Sequence, residues 1–250
     1  MTKMVTKGIG APMPRESARR LVEGRGRYVD DITLPGMLHI AFVRSPFAHG
    51  RILGIDTADA LELPGVVAVI DGKELAEICA PFDTNPPGVP HHASAPQPAL
   101  VIEESCYQGQ AVIAVIAESR ALAEDAAELV FVDWEELPAA CSIEEAQSVD
   151  AAPVLSEFDN NLTLHHRFGA EDVSEAFENA AHVVEANFGF GRQTGVTLEP
   201  RGIIAHWDPR TEELDVWQSH QVPWQMREVY AMQLGLPSQS IRVTTPDVGG

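Results

Sequence analysis

Cysteine is scarce in this 250-residue chain: Cys79, Cys106 and Cys141 are the only three, and no two of them form a CxxC pair. An odd, scattered set argues against a disulfide framework, a zinc knuckle or an iron–sulfur cluster on this chain. It fits a reducing compartment. Basic residues are also few, 17 Lys and Arg against 37 Asp and Glu, for a formal net charge of −20. Such a surface repels phosphate backbones and disfavours nucleic-acid binding. It serves solubility, or it docks another subunit. No apolar run reaches the length of a membrane span. The first twenty residues, MTKMVTKGIGAPMPRESARR, lack the apolar stretch of a signal peptide. The pair Arg19-Arg20 is followed by Leu21-Val22-Glu23-Gly24 rather than by an apolar run, so it reads as structural. The expected location is cytoplasmic.

Several catalytic signatures are missing too. There is no GxSxG elbow and no GxxxxGK[ST] phosphate loop. The nine histidines include the adjacent pairs His91-His92 and His165-His166, but no HxxxH or HxH. Neighbours on a strand point to opposite faces, so such pairs do not chelate one ion, and no direct protein metal ligand is expected.

What remains is a chain of ordinary globular composition, 45% hydrophobic and 22% charged, long enough for two domains. Glu16 to Val22 predicts one short helix ended at Gly24. MLHIAFVRS and RILGIDT read as strands, with Thr57 capping a short helix, ADALEL. VVAVI reads as a buried strand, after which Asp71 caps GKELAEIC. Residues 80–98 carry six prolines and no periodicity, the mark of a long loop. QAVIAVIAE, then Ser119 capping RALAEDAAELV, then FVDWEEL, predict a strand–helix–strand crossover with parallel pairing.

Beyond an acidic loop at 138–161, LTLHHRFG reads as a strand, DVSEAFENA as a helix and AHVVEANFGFG as a strand. RGIIAHWD and LDVWQSH read as a hairpin about Asp208-Pro-Arg210. VPWQMREVYAMQLG reads as a helix opened by Pro223 and closed by Gly235, and SIRVTTP as a last strand. The fold class expected is α/β to α+β, in two domains.

Three places carry candidate chemistry. Glu199 lies in TLEPRG, just before a strand, as an exposed acid, a cap or a functional carboxylate. Gln221 lies between a strand and a helix N-terminus, where a side-chain amide donates to an oxo or phosphate ligand; the bland alternative is a polar turn. Gly249 and Gly250 follow the last strand, where backbone closely approaches a bulky ligand. A domain seldom stops on such a loop, so the chain is expected to be the front part of a longer protein.

Taken together, RGRYVDDITLPGMLHIAFVRSPFAHGRI, LPGVVAVIDGKEL, YQGQAVIAVIAESRALAEDAAELVFVDWEELP, VSEAFENAAHVVEANF, TLEPRGIIAHWD, LDVWQSHQVPWQMR and IRVTTPDVGG resemble, in collinear order, one family. It is the molybdopterin-binding large subunit of the molybdenum hydroxylases, which include xanthine dehydrogenase, aldehyde oxidase and aerobic carbon monoxide dehydrogenase. The resemblance implies an extended arm (1–20), a hammerhead-like α/β domain (21–138), a linker (139–161) and the start of a molybdenum-cofactor-binding domain (162–250). It implies that Gln221 bonds an oxygen ligand of molybdenum and that Gly249 and Gly250 belong to a glycine-rich cofactor loop. His220 and Trp224 depart from the family's usual neighbours of that Gln.

Glu199 matches a family Glu near the substrate pocket, while the family's general-base Glu lies beyond residue 250. No catalytic residue is therefore expected in this stretch, which alone would be inactive. The implied reaction is hydroxylation of an aldehyde, purine or N-heterocycle with water, or oxidation of carbon monoxide. The implied cofactor is molybdenum-molybdopterin, as the cytosine dinucleotide in bacteria. Iron–sulfur clusters and FAD are expected on partner subunits, in a dimer of heterotrimers. Two other readings stay open: a non-catalytic split half or scaffold that completes a cofactor site with a partner chain, and a stand-alone binding domain for small acids.

Overall fold

The structure, a computed structural model, describes residues 15, 17–82, 96–165, 169 and 173–249. In chain order it contains α1 (Ala18–Val22), β1 (His39–Arg44), β2 (Gly50–Asp56), α2 (Ala58–Glu62), β3 (Val66–Asp71), α3 (Gly72–Ala76), β4 (Glu104–Ser105), β5 (Ala111–Ala117) and α4 (Arg120–Glu128). It continues with β6 (Phe131–Glu136), α5 (Ile143–Ala146), α6 (Ser174–Glu178), β7 (Ile203–Asp208), β8 (Glu213–Gln218), α7 (Pro223–Leu234) and β9 (Ile241–Thr244). The mixed α/β class expected from the pattern is what forms. Two compact units result: residues 36–195 with 232–235, and residues up to 35 with 196–231 and 236 onward.

The larger unit holds two three-stranded antiparallel sheets, ordered β1-β5-β3 and β4-β2-β6. β5 is the central strand of the first sheet, and its unbroken apolar sequence follows from that place. Val112, Ile113 and Val115 are fully buried and share a core with Ala60, Val101 and Ala126. Helix α4 packs on β1 and β5 through Ala123 and Ala126, and Ser119 Oγ caps it by accepting from Leu122 N–H. Asp71 Oδ1 likewise caps α3 at 2.8 Å from Glu74 N.

Four local expectations need correction. The segment 110–137 is no parallel crossover. Both edges of β5 are taken by β1 and β3, so β6 crosses to the second sheet and pairs antiparallel with β2. Thr57 makes no capping bond; Asp56 Oδ1 accepts from Ala58 N–H at 3.0 Å in its stead. β3 is half-buried rather than buried. Residues 162–165 and 182–197 form no strand. An alternating apolar pattern becomes a strand only against a partner ladder, and none of the described residues offers one. The rest of the long proline-rich loop, 83–95, lies outside the described residues, as do 166–168 of the LTLHHRFG segment.

The smaller unit holds the sheet β7-β8-β9. β7 and β8 form the expected hairpin, with Glu212 at φ 56° in its turn. β8 and β9 run parallel, joined through α7, so a parallel crossover lies here. Leu214, Val216 and Ile241 form the core, covered by Tyr230, Ala231, Leu236 and Val243. Gly235, at φ 64°, ends α7 in a conformation that favours glycine. Residues 17–35 belong to this unit. Val29 is buried, and a Cβ on Gly202, just before β7, would lie 3.1 Å from Val29 Cγ1.

Candidate functional site

The register of the smaller sheet gathers the three sequence-predicted places on one edge. Ile203 at the start of β7 faces Gln218 at the end of β8, and Trp217 near that end faces Thr244 at the end of β9. The segment before β7, carrying Glu199, therefore emerges beside the segments after β8 and β9, carrying Gln221 and Gly249. Ser219 N–H extends the ladder to Gly202 O at 3.1 Å. Two parallel strands ending together at a helix N-terminus form the usual ligand edge of an α/β sheet.

Glu199 and Gly249 touch. The backbone N–H of Gly249 donates to Glu199 Oε2 at 2.5 Å. A Cβ built on Gly249 would lie 2.7 Å from Glu199 Cβ, a separation that side chains do not tolerate. Thr197 Oγ1 donates to Glu199 O at 2.8 Å and shapes the approach. Gly250 lies outside the described residues.

Gln221 stands exposed at the mouth of α7, and its side-chain amide has no hydrogen-bond partner among the described residues. Val222 N–H donates to His220 Nδ1 at 3.0 Å, and Arg227 stacks 4.1 Å over the Trp224 ring. The two residues that depart from the family pattern thus both take part in fixing this turn and first helical turn. Behind it, Tyr230 Oη donates to Gln218 Oε1 at 2.6 Å, and burial pushes the phenol pKa up.

Sequence reading missed Asp247. Its carboxylate accepts from Arg20 Nη1 and Nη2, each at 2.6 Å, and from Arg27 N–H at 2.7 Å. Its own N–H donates to Arg27 O at 3.0 Å. The Arg20 fork, then the Arg27 amide, holds the Asp247 carboxyl down to about 2. Thr245, also on this edge, has a buried Oγ1 with no partner among the described residues. No local pattern announces these features, because the partners lie at opposite ends of the chain.

The donors this edge offers to an oxygen are the Gln221 amide, the Thr245 hydroxyl and the first-turn N–H groups of Trp224 and Gln225, beside a glycine backbone with no room for a side chain whose N–H Glu199 already takes. Among the described residues no group of three or more His, Cys, Asp or Glu is arranged to hold a metal ion. Such an edge fits a group that brings its own metal ligands and offers oxygens to the protein. The thiols of Cys79 and Cys106 are both pushed up by burial and lie in the larger unit.

The larger unit carries a second polar cluster. Glu104 accepts from Arg51 Nε and Nη2 at 3.1 and 2.8 Å and from Ser156 N–H and Oγ–H at 3.0 and 2.8 Å. Buried His49 lies beside it. His49 Nδ1 is 2.7 Å from Pro138 O, whereas Nε2 stands 3.5 Å from Glu104 Oε2, too far for a formed hydrogen bond. This cluster fastens the segments on either side of α5, through Pro138 and Ser156, to the β4-β2-β6 sheet and reads as structural.

Comparison with known proteins identifies the class. Residues 23–138 match the a/b hammerhead domain of aldehyde oxidase and xanthine dehydrogenase, and residues 155–250 match the molybdopterin cofactor-binding domain. The chain belongs to the molybdopterin-binding large-subunit family of the molybdenum hydroxylases. It is 37% identical over 243 residues to the nicotine 6-hydroxylase large subunit of Paenarthrobacter nicotinovorans, covering 97% of this chain and 29% of that one. It is 35% identical to the carbon monoxide dehydrogenase large chain of Hydrogenophaga pseudoflava, covering 95% and 31%. The structure of quinoline 2-oxidoreductase from Pseudomonas putida 86 superposes with a TM-score of 0.89 at 38% identity, over 95% of this chain and 30% of that one. The chain thus spans about 30% of the length of these relatives and corresponds to their N-terminal portion.

Proposed function

We propose that these residues supply the hammerhead domain and one wall of the cofactor site in the catalytic large subunit of a molybdenum hydroxylase. The observation that carries this reading is the convergence of Glu199, Gln221 and Gly249 on one sheet edge, within the segment that matches the molybdopterin cofactor-binding domain. The bound group supplies two-electron oxidation with water as the oxygen source. In this role the Gln221 amide donates to one of its oxygens, and the Gly249 backbone, joined by Gly250, approaches it closely. Glu199 sets the position of Gly249 rather than acting as general base. The cytosine dinucleotide form of the cofactor, a cytoplasmic location and partner subunits carrying iron–sulfur clusters and FAD, in a dimer of heterotrimers, complete the proposal. The hammerhead, linker and cofactor segments follow the divisions 21–138, 139–161 and 162–250.

One observation also favours assembly with more polypeptide. Every residue from 173 to 198, in the described part, is exposed, including Phe177, Val184, Phe188 and Phe190. An apolar run of this kind marks a surface that another element covers. The test of function is to purify the native complex, assay its molybdenum, and oxidise aldehyde, purine, N-heterocycle and carbon monoxide substrates in ¹⁸O-labelled water with an acceptor dye. Molybdenum with label in the product supports the proposal. A complex devoid of molybdenum, or product oxygen drawn from O₂, defeats it.

A further inference from the structure

The loop that carries Gly249 is held from two sides. Asp247 is tied to Arg20, 227 residues earlier, by a bidentate pair, and to Arg27 by exchange of backbone and side-chain bonds. Only Val248 separates this anchor from Gly249, whose N–H is tied to Glu199. Bidentate guanidinium–carboxylate pairs fix orientation as well as distance, because two parallel bonds forbid rotation. The Arg20 segment is itself anchored, since Val29 is buried against Gly202 at the start of β7.

We propose that Arg20 and Asp247 form a clamp through which the N-terminal segment positions the Gly249 loop for its ligand, making Arg20 a positioning residue of the cofactor site. The proposal rests on the reading of that loop as cofactor-binding. Its physical content is pre-organisation. A glycine loop after a strand samples many conformations, and a ligand that needs its backbone in one of them binds more weakly unless something else fixes it. The pair is half-exposed, with side-chain exposures of 39% for Arg20 and 20% for Asp247, so its loss is expected to loosen the loop without unfolding the unit.

The test uses Arg20→Ala, Arg20→Lys and the exchanged pair Arg20→Asp with Asp247→Arg. Amide hydrogen exchange on the purified native complex is the first readout. Arg20→Ala is expected to speed exchange at residues 247–249 by on the order of tenfold, leaving Val216 and Val243 unchanged. Arg20→Lys, which keeps charge and the Asp247 acceptor but loses the fork, restores part of the protection, and the exchanged pair restores the ion pair but not the bond from Arg27 N–H, so it too restores only part. The second readout is pterin retained by the purified complex, compared with Gln221→Ala. Faster loop exchange with loss of pterin is the expected result. Unchanged exchange at 247–249, or equal acceleration in the sheet core, overturns the clamp. Faster loop exchange with full pterin, where Gln221→Ala loses it, overturns the positioning role while the site reading stands. Full pterin in both variants removes the site reading itself, and the proposal with it.

Discussion

The carboxylate of Glu199 accepts the backbone N–H of Gly249 across fifty residues of sequence, and Glu199 Cβ fills the space that a side chain at 249 would need. A residue singled out as a candidate acid and a residue singled out as a backbone-approach glycine are thus parts of one contact. The role of Glu199 follows from it: it holds a main-chain donor in place.

Gly249→Ala is expected to displace this loop. The added Cβ must move Glu199 or its own backbone, at a cost of about 1–3 kcal/mol for overpacking. The checkable outcome is reduced pterin retention with a melting temperature changed by no more than a few degrees. Glu199→Gln keeps an acceptor for the Gly249 N–H and is expected to retain more cofactor than Glu199→Ala.

Glu104 makes stability depend on acid pH. Burial alone works against its ionisation, but the Ser156 N–H and hydroxyl and the Arg51 fork outweigh it and lower the carboxyl from 4.5 to about 2. A folded-state value below the unfolded one stabilises at every pH above 4.5 and loses that contribution as pH falls toward 2. The contribution is on the order of 3 kcal/mol at neutral pH. Urea denaturation of the wild type and of Glu104→Gln from pH 7 to pH 3 checks it: the gap between them should narrow as pH falls.

Helix caps separate the residues that work from those that only look suitable. Asp71→Ala and Ser119→Ala each remove a formed capping bond and should cost about 1 kcal/mol. Thr57→Ala removes none and should cost under about 0.5 kcal/mol, whereas Asp56→Ala, which loses the bond to Ala58 N–H, costs more. Denaturant midpoints of the four variants are the measurement.

Tyr230→Phe deletes the hydroxyl that reaches Gln218 at the end of β8. The expected loss is about 1 kcal/mol, since the bond is half-buried and leaves the Gln218 oxygen without its donor. A denaturant melt that shows no loss would mean that water replaces the bond at no cost.

Local chemistry made much of this fold readable. The turn residues around Pro209 gave the β7–β8 hairpin, Pro223 and Gly235 gave the ends of α7, and Asp71 and Ser119 gave two caps. Strand partnering was less readable. The apolar run of β5 announced a strand, but nothing local told that β1 and β3 fill its two edges and send β6 to another sheet. The segment AHVVEANFGFG suggests a strand, but no ladder among the described residues makes it one. At the site, Glu199, Gln221 and Gly249 were each visible as single residues. Their meeting depends on the antiparallel β7–β8 and parallel β8–β9 registers, which are long-range properties. Asp247 was invisible because its partners, Arg20 and Arg27, share no periodic pattern with it.

The central claim is that this sheet edge holds the molybdenum cofactor, and Gln221 is its most exposed test. Molybdenum and oxidatively released pterin should be measured per mole of purified complex for wild type, Gln221→Ala and Gln221→Glu, with circular dichroism confirming an unchanged fold. The account predicts near-stoichiometric molybdenum and pterin in the wild type and a loss of both in the two variants, larger for Gln221→Glu, which replaces the donor by a charge. Equal molybdenum and pterin in all three proteins would contradict it.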